Sequence, residues 1–266
     1  MKKIFITGAT SGIGLALAHE YAKRYAKTGA FIGLVGRRSE YLQGIANILK
    51  NQYQVECAIY MCDVRDHAAL AEAAEDFMRR FGAPHIVIAN AGVSRGTLTE
   101  YQEDITAFQA VMDINVLGMV HTFQPFIAAM KAARLTGEQA QLVGVASVAG
   151  IRGLPGGGAY SASKAAAISY LESLRIEMQL YDISVTTIAP GYIRTPMTDI
   201  NTYPMPFLME VEDFANQFAN AVERKKRFTV IPWQMGIVAR LMRFIPPLLW
   251  DTLMKNAPHK SRQPNE

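Results

Sequence analysis

Short runs rich in apolar and β-branched residues alternate with longer amphipathic stretches along most of the chain. The runs Lys3–Thr7, Ala30–Val35, Glu56–Met61, His85–Ala89, Leu142–Ala146, Ser184–Ala189 and Phe228–Ile231 read as strands. The stretches Ile13–Lys27, Glu40–Asn51, His67–Phe81, Thr106–Arg134, Ala159–Tyr181 and Val211–Arg224 read as helices. Alternation at this spacing predicts right-handed crossovers, and so an α/β, doubly wound parallel sheet of about seven strands with helices on both faces. Ile86-Val87-Ile88-Ala89 is apolar without interruption, as a strand covered on both faces must be. Ligands of such sheets bind beyond the carboxyl ends of the strands. The residues just after each strand therefore carry the functional information.

The 266 residues, 50% of them hydrophobic, suit one large domain with a sizeable core. We expect residues 1–232 to form that domain, with a small helical lid over about 192–226. Residues 233–266 read as an apolar helical extension, with a mobile end at Pro258–Glu266. Net charge is only +4. The one basic run, Arg224-Lys225-Lys226-Arg227, reads as a solvated helix end rather than a nucleic-acid patch. Cys57 and Cys62 lie five apart on a predicted strand, so they should face opposite sides of it. That disfavours a disulfide between them and a metal pair, and no metal site is expected. Two free thiols fit a reducing compartment. The apolar run after the opening lysines is shorter than a signal peptide requires, and no uncharged run reaches spanning length. A cytoplasmic location is the expectation.

The first predicted strand runs into Thr7-Gly8-Ala9-Thr10-Ser11-Gly12-Ile13-Gly14, and a helix follows. Small residues let the backbone approach a pyrophosphate, and a helix N-terminus favours its negative charge. The spacing G-x-x-x-G-x-G could also be an ordinary tight turn; its place after the first strand favours a dinucleotide. The second strand ends Gly36-Arg37-Arg38. An acidic residue there would suit the ribose 2′-hydroxyl of NAD(H). Two guanidiniums suit a 2′-phosphate by charge and bidentate geometry, so NADP(H) is preferred over NAD(H), with Arg37 the nearer contact.

Ser147 follows the fifth strand, Tyr160 comes thirteen residues later, and Lys164 lies four beyond it on the same helix face. A phenol with a pKa of ~10 is a poor base at neutral pH, but a nearby ammonium favours the phenolate. A serine hydroxyl at the sheet edge can hold a substrate oxygen near that phenol. Tyr-x-x-x-Lys alone is common on exposed helices. Here it stands in order with other signals at the ligand-binding edge.

With these motifs in hand, the chain resembles the short-chain dehydrogenase/reductase family from about Lys3 to Ile231. The matching residues are TGATSGIG at Thr7–Gly14, Asp63-Val64, Asn90-Ala91-Gly92, Asn115 within MDINVLG, Ser147, Tyr160 and Lys164 in YSASK, and Pro190-Gly191 through Ile193 and Thr195. The resemblance implies a Rossmann-type fold and transfer of the pro-S hydride between NADP(H) and a carbonyl or alcohol carbon. It implies that Tyr160 is the acid in reduction and the base in oxidation. Lys164 would lower the tyrosine pKa and bond the nicotinamide ribose, and Ser147 would polarise the carbonyl. Asn115 would hold a relay water. Asp63 and Val64 would contact adenine, Asn90 would lie along the adenosine ribose, and Ile193 and Thr195 would hold the carboxamide. Each position also has a local reading, such as a turn at Asn90–Gly92 or a helix cap at Asp63.

After Gly191 the segment is apolar and methionine-rich (Tyr192, Met197, Tyr203, Met205, Phe207, Leu208, Met209). It suits a 3-oxoacyl, steroid-like or aromatic ketone, or simply a packed lid. Trp233–Lys255 is apolar with Arg240, Arg243 and a Pro246-Pro247 break. It reads first as a subunit or lid contact and second as a peripheral membrane contact. A homodimer or homotetramer is implied through the helices near 106–134 and 159–181. The alternatives are a non-catalytic NADP(H)-sensing regulator on the same fold, against which the complete catalytic set argues, and a nucleotide-sugar epimerase or dehydratase, whose substrate region is usually longer.

Overall fold

The computed structural model describes residues 1–257 and Arg262. The end expected to be mobile, Pro258–Glu266, lies outside the described residues apart from Arg262, whose guanidinium pairs with Asp104 at 2.9 Å and Glu103 at 3.1 Å. Strands β1 (Lys2–Thr7), β2 (Ala30–Gly36), β3 (Glu56–Met61), β4 (Ile86–Ala89), β5 (Gln141–Val145), β6 (Ser184–Pro190) and β7 (Phe228–Ile231) form one sheet in the order β3-β2-β1-β4-β5-β6-β7. All six pairings are parallel, with Thr7 opposite Val35, Ile6 opposite Ile88 and Val145 opposite Ile188. Strand order reverses between β1 and β4, and a crevice must open above that point.

Alternation along β1 sends its side chains to two separate cores. Ile4 and Ile6 join Leu17, Leu42, Phe214 and Phe218 beneath α1 (Gly12–Arg24), α2 (Ser39–Tyr53) and α8 (Val211–Glu223). Phe5 points the other way, toward α3 (His67–Phe81), α5 (Gly118–Leu135) and α6 (Gly158–Gln179). There its ring meets Phe77 edge-on at 5.5 Å and Phe126 at 4.7 Å. Such tilted pairs add to the gain from burial alone. Cys57 packs on the first core and Cys62 on the second, and both are free thiols. Burial pushes them up to about 12 and about 11 respectively, so neither is a reactive thiolate.

Where element boundaries depart from the sequence reading, local chemistry accounts for it. Helix α1 stops at Arg24, not Lys27, because Gly29 takes φ +79° and closes a turn with its N–H on Tyr25 O at 2.7 Å. The expected single helix Thr106–Arg134 is α4 (Asp104–Met112), one π turn (Asp113–Leu117) and α5. Helix α3 matches in both bounds. Asp66, not Asp63, caps it, accepting from Ala69 N at 3.0 Å, and Gly82 follows its last turn. Asp66→Ala should therefore cost ~1 kcal/mol of stability, read as a lower urea midpoint at unchanged slope.

The remaining helices are α7 (Pro196–Asp199), α9 (Trp233–Phe244) and α10 (Pro247–Met254). Among the described residues no helix is long and apolar enough to cross a membrane.

Candidate active site

The turn after β1 is built without side-chain bulk. Gly8 sits at φ +71°, where L-residues are strained, and a Cβ on Gly14 would stand 2.2 Å from the Gly8 carbonyl oxygen. Asn90, just past β4, locks this turn by donating its amide to Thr7 O at 3.0 Å and Gly8 O at 3.3 Å. In return the Thr7 hydroxyl accepts from Asn90 N at 3.2 Å and Ala91 N at 3.3 Å. The amide of Asn90 thus braces the glycine turn while the residue lines the cavity above it.

That cavity measures about 500 Å³ and runs along the carboxyl ends of the strands. Of the residues expected to bind cofactor or react, Gly8, Thr10, Ser11, Gly12, Ile13, Arg37, Arg38, Asp63, Val64, Asn90, Ala91 and Gly92 line it. So do Ser147, Tyr160, Lys164, Pro190, Gly191, Ile193 and Thr195. Gly14 and Asn115 do not reach its wall, although both are packed behind it. Sequence reasoning missed Val93 and Ile114 as cavity residues, and Met197 of the apolar segment after Gly191 also lines it.

At one end lie the two arginines. Arg38 is engaged: it donates to Thr10 Oγ1 at 2.9 Å, and its guanidinium lies 4.5 Å from the Tyr41 ring centre. The Arg37 side chain is 69% exposed and only loosely paired, 3.9 Å from Asp63. Asp63 is held instead by Arg65, at 3.0 and 2.8 Å through its two oxygens. Those bonds keep the Asp63 carboxyl below its ordinary range. Arg37 is therefore the cation with a guanidinium to spare for a phosphate.

At the other end stand Ser147, Tyr160 and Lys164. Ser147 leaves β5 in extended conformation, and its hydroxyl accepts from Ala149 N at 3.1 Å. Burial pushes the Tyr160 phenol up, and a hydrogen bond with Ser147 pulls it back part of the way. Lys164 is 4% exposed, and burial pushes its ammonium down to about 8. It donates to Val145 O at 2.9 Å, with its nitrogen 5.8 Å from the Tyr160 ring centre. The Lys164 ammonium is bonded to Val145 O, and the contact that lowers the phenol in this structure is Ser147.

The π turn carries Asn115 inward, 1% exposed. Its carbonyl accepts from Val93 N at 2.8 Å, and its amide donates to Val93 O at 3.0 Å and to the Ser163 hydroxyl at 2.9 Å. The side chain is thus spent on the backbone after β4 and on the turn of α6 that carries Lys164. Gly92 lies between the two: a Cβ there would meet Asn115 Oδ1 at 3.1 Å and Lys164 Nζ at 3.5 Å.

Past β6, Thr195 and Thr198 close a capping box on α7, and Arg194 pairs with Glu210 at 2.8 Å. The Tyr192 and Tyr203 rings meet edge-on at 6.4 Å. Burial pushes the Tyr203 phenol up, with a smaller push from the charges of Tyr192 and Tyr160.

Residues 2–203 match the family model described as short chain dehydrogenase. An uncharacterized oxidoreductase of Myxococcus xanthus (strain DK1622) is 33% identical over 249 residues, spanning 92% of this chain and 93% of that protein. An alcohol dehydrogenase from the archaeon Thermococcus sibiricus, solved with 5-hydroxy-NADP, superposes with a TM-score of 0.75 at 26% identity, over 87% of this chain and 96% of that one. A 3-ketoacyl-(acyl-carrier-protein) reductase from Brucella melitensis, solved with NADH, superposes with a TM-score of 0.74 at 26% identity, over 86% and 94%. A parallel sheet reversing at β1 and β4, a glycine turn with no room for a Cβ, and Ser147, Tyr160 and Lys164 on one cavity wall complete the match, and the chain belongs to the short-chain dehydrogenase family of oxidoreductases.

Proposed function

We propose that the protein transfers a hydride between NADP(H) and a carbonyl or alcohol carbon of an apolar substrate. The observation that carries this reading is the convergence of Ser147, Tyr160 and Lys164 on the cavity that begins at the glycine turn. Residues 1–232 are the catalytic unit, with a lid over about 192–226. A cavity of about 500 Å³ with a side-chain-free turn at one end has the room and shape for a dinucleotide. The nicotinamide, when bound, supplies or accepts the hydride.

The chain's own residues handle the proton and the alignment. In reduction the Tyr160 hydroxyl gives its proton to the carbonyl oxygen; in oxidation the phenolate takes it from the alcohol. Ser147 donates to the same oxygen and fixes its distance from the phenol. Lys164, 5.8 Å from the Tyr160 ring centre, would hold the nicotinamide ribose, and its positive charge favours the phenolate. Asn115 keeps the backbone after β4 and the α6 turn at fixed separation beside Lys164, where it would hold the water that relays protons to solvent. Asp63 and Val64 flank the adenine, and Ile193 and Thr195 the carboxamide.

The preference for NADP(H) rests on Arg37, whose guanidinium is the less engaged of the pair. Arg37→Ala should raise the KM for NADPH about ten- to hundredfold and leave that for NADH near its starting value, since one charge-assisted bond to phosphate is lost. Equal loss with both cofactors would remove the 2′-phosphate reading.

For the substrate, the apolar, methionine-rich segment after Gly191, whose Met197 lines the cavity, supports an apolar ketone, and the similar Brucella protein is named for a 3-ketoacyl substrate. The test is NADPH and NADH oxidation, followed by absorbance, with long-chain 3-oxoacyl, steroid, aromatic and sugar carbonyls, wild type beside Tyr160→Phe. Turnover of small polar sugars alone would sink the apolar-substrate reading. The protein acts in the cytoplasm as a homodimer or homotetramer. Ile105, Phe108, Leu117 and Ile176 stand exposed on α4, the π turn and α6 and suit a two-fold contact. Nothing favours the non-catalytic sensor.

A further inference from the structure

Helix α9 has two unlike sides, and α10 follows it directly in the chain. Met235 and Ala239 of α9 are buried. On its outer side Trp233, Ile237, Leu241 and Phe244 recur at spacings of four, four and three, which is one helix stripe. All four are exposed, Phe244 at 82%, and after the Pro246-Pro247 corner Leu248 continues at 79%. Neither core uses any of these side chains. A contiguous apolar face of this kind marks a contact.

The charges say what it contacts. Residues 233–257 carry Arg240, Arg243, Lys255 and a single carboxylate, Asp251, all exposed. On α9 itself there is no acidic residue, and the two arginines stand next in sequence to Leu241 and Phe244. An isologous contact with a second copy would bring this unpaired positive face against its own equivalent. Apolar side chains flanked by arginines instead match the boundary between acyl chains and anionic headgroups.

The two helices are also tied down before any contact is made. Arg152, between Ser147 and Tyr160 in sequence, donates to Met242 O at 3.1 Å and Ile245 O at 2.9 Å. Its guanidinium lies 4.8 Å from the Trp250 ring centre. One side chain thus closes the end of α9, steadies α10 and ties both to the segment leading to Tyr160. A preformed face loses less entropy on binding.

We propose that α9 and α10 dock the protein on a bilayer surface carrying anionic headgroups, lying in the interface rather than crossing it. The test is flotation of the full-length protein with vesicles of phosphatidylcholine alone or mixed with phosphatidylserine. The wild type should float with the mixture and far less with phosphatidylcholine alone. Arg240→Gln with Arg243→Gln should weaken binding to the mixture about thirtyfold. Leu241→Asp with Phe244→Asp should abolish it. Both variants should keep wild-type NADPH affinity, because the changes lie outside the cofactor cavity, and so report on docking rather than folding. Absence of wild-type flotation, or equal flotation on both vesicles, overturns the proposal. So does a change of oligomeric state in the Leu241→Asp, Phe244→Asp variant on gel filtration, which would give the face to a second copy.

Discussion

Replacing Tyr160 by Phe should lower the turnover of whichever ketone the wild type reduces by ~10²–10⁴ while leaving NADPH affinity nearly unchanged. The ring keeps its volume, so the packing around it survives. What goes is the oxygen that gives and takes the proton, together with the bond to Ser147 that draws the phenol down against burial. The hydrogen bond that Lys164 makes goes to Val145 O and not to the phenol, so removing the phenol oxygen should leave the lysine in place. Single-turnover absorbance with saturating NADPH separates the two effects: binding persists and the chemical step stalls. A Phe variant that still reduces the ketone at a rate near wild type would move the proton donor elsewhere. The pH profile adds a sign. Burial raises the phenol, so its protonated form, needed for reduction, persists through neutral pH. Lys164 is pushed down to about 8, so its positive charge is lost as pH rises through that value, and kcat/KM should fall there. Lys164→Arg, which keeps its charge, should remove that limb.

The sequence was legible where function sits at the ends of strands, and less so where tertiary contacts decide. The alternation of runs identified all seven strands, since an apolar run bounded by turn residues needs no distant partner to be recognised. The glycine turn and the Ser147, Tyr160 and Lys164 set were readable because they follow strands in chain order, at the sheet edge where ligands bind, and together resemble one family's motifs. The π turn was not. Nothing in Asp113-Ile114-Asn115-Val116-Leu117 breaks a helix, and one added residue leaves the apolar pattern on either side intact. The partners of the Asn115 amide, Val93 and Ser163, lie 22 and 48 residues away and carry no local signal. Arg65, which restrains Asp63, and Arg152, which holds the end of α9 and the Trp250 ring, carry no motif at all. An arginine's partners are set by where its long side chain lands after folding.

Gly14→Ala should cost more than any surface change, in stability and in cofactor binding together. A Cβ at that position meets Gly8 O at 2.2 Å and Asn90 Nδ2 at 2.6 Å, closer than real Cβ contacts come. Neither neighbour can give way. The Gly8 carbonyl already accepts from Asn90, and the next residue is fixed by Ala9 N on Val35 O at 3.0 Å. Relief must come from moving the start of α1 away from β1, and overpacking of that kind costs ~1–3 kcal/mol. The same shift misplaces the backbone amides that would face the pyrophosphate. A displacement of about 1 Å at a positioning element is enough to cost on the order of 10²-fold. Thermal midpoint and NADPH titration should therefore fall together in this variant. Gly44→Ala is the control, since Gly44 lies within α2 and a Cβ there meets nothing within 4 Å. With no clash to offset the gain, alanine should stabilise that helix by ~0.5–1 kcal/mol and leave NADPH affinity alone. Opposite signs from the same chemical change would assign the loss at Gly14 to the close approach of α1 and β1, and so to the turn that receives the cofactor.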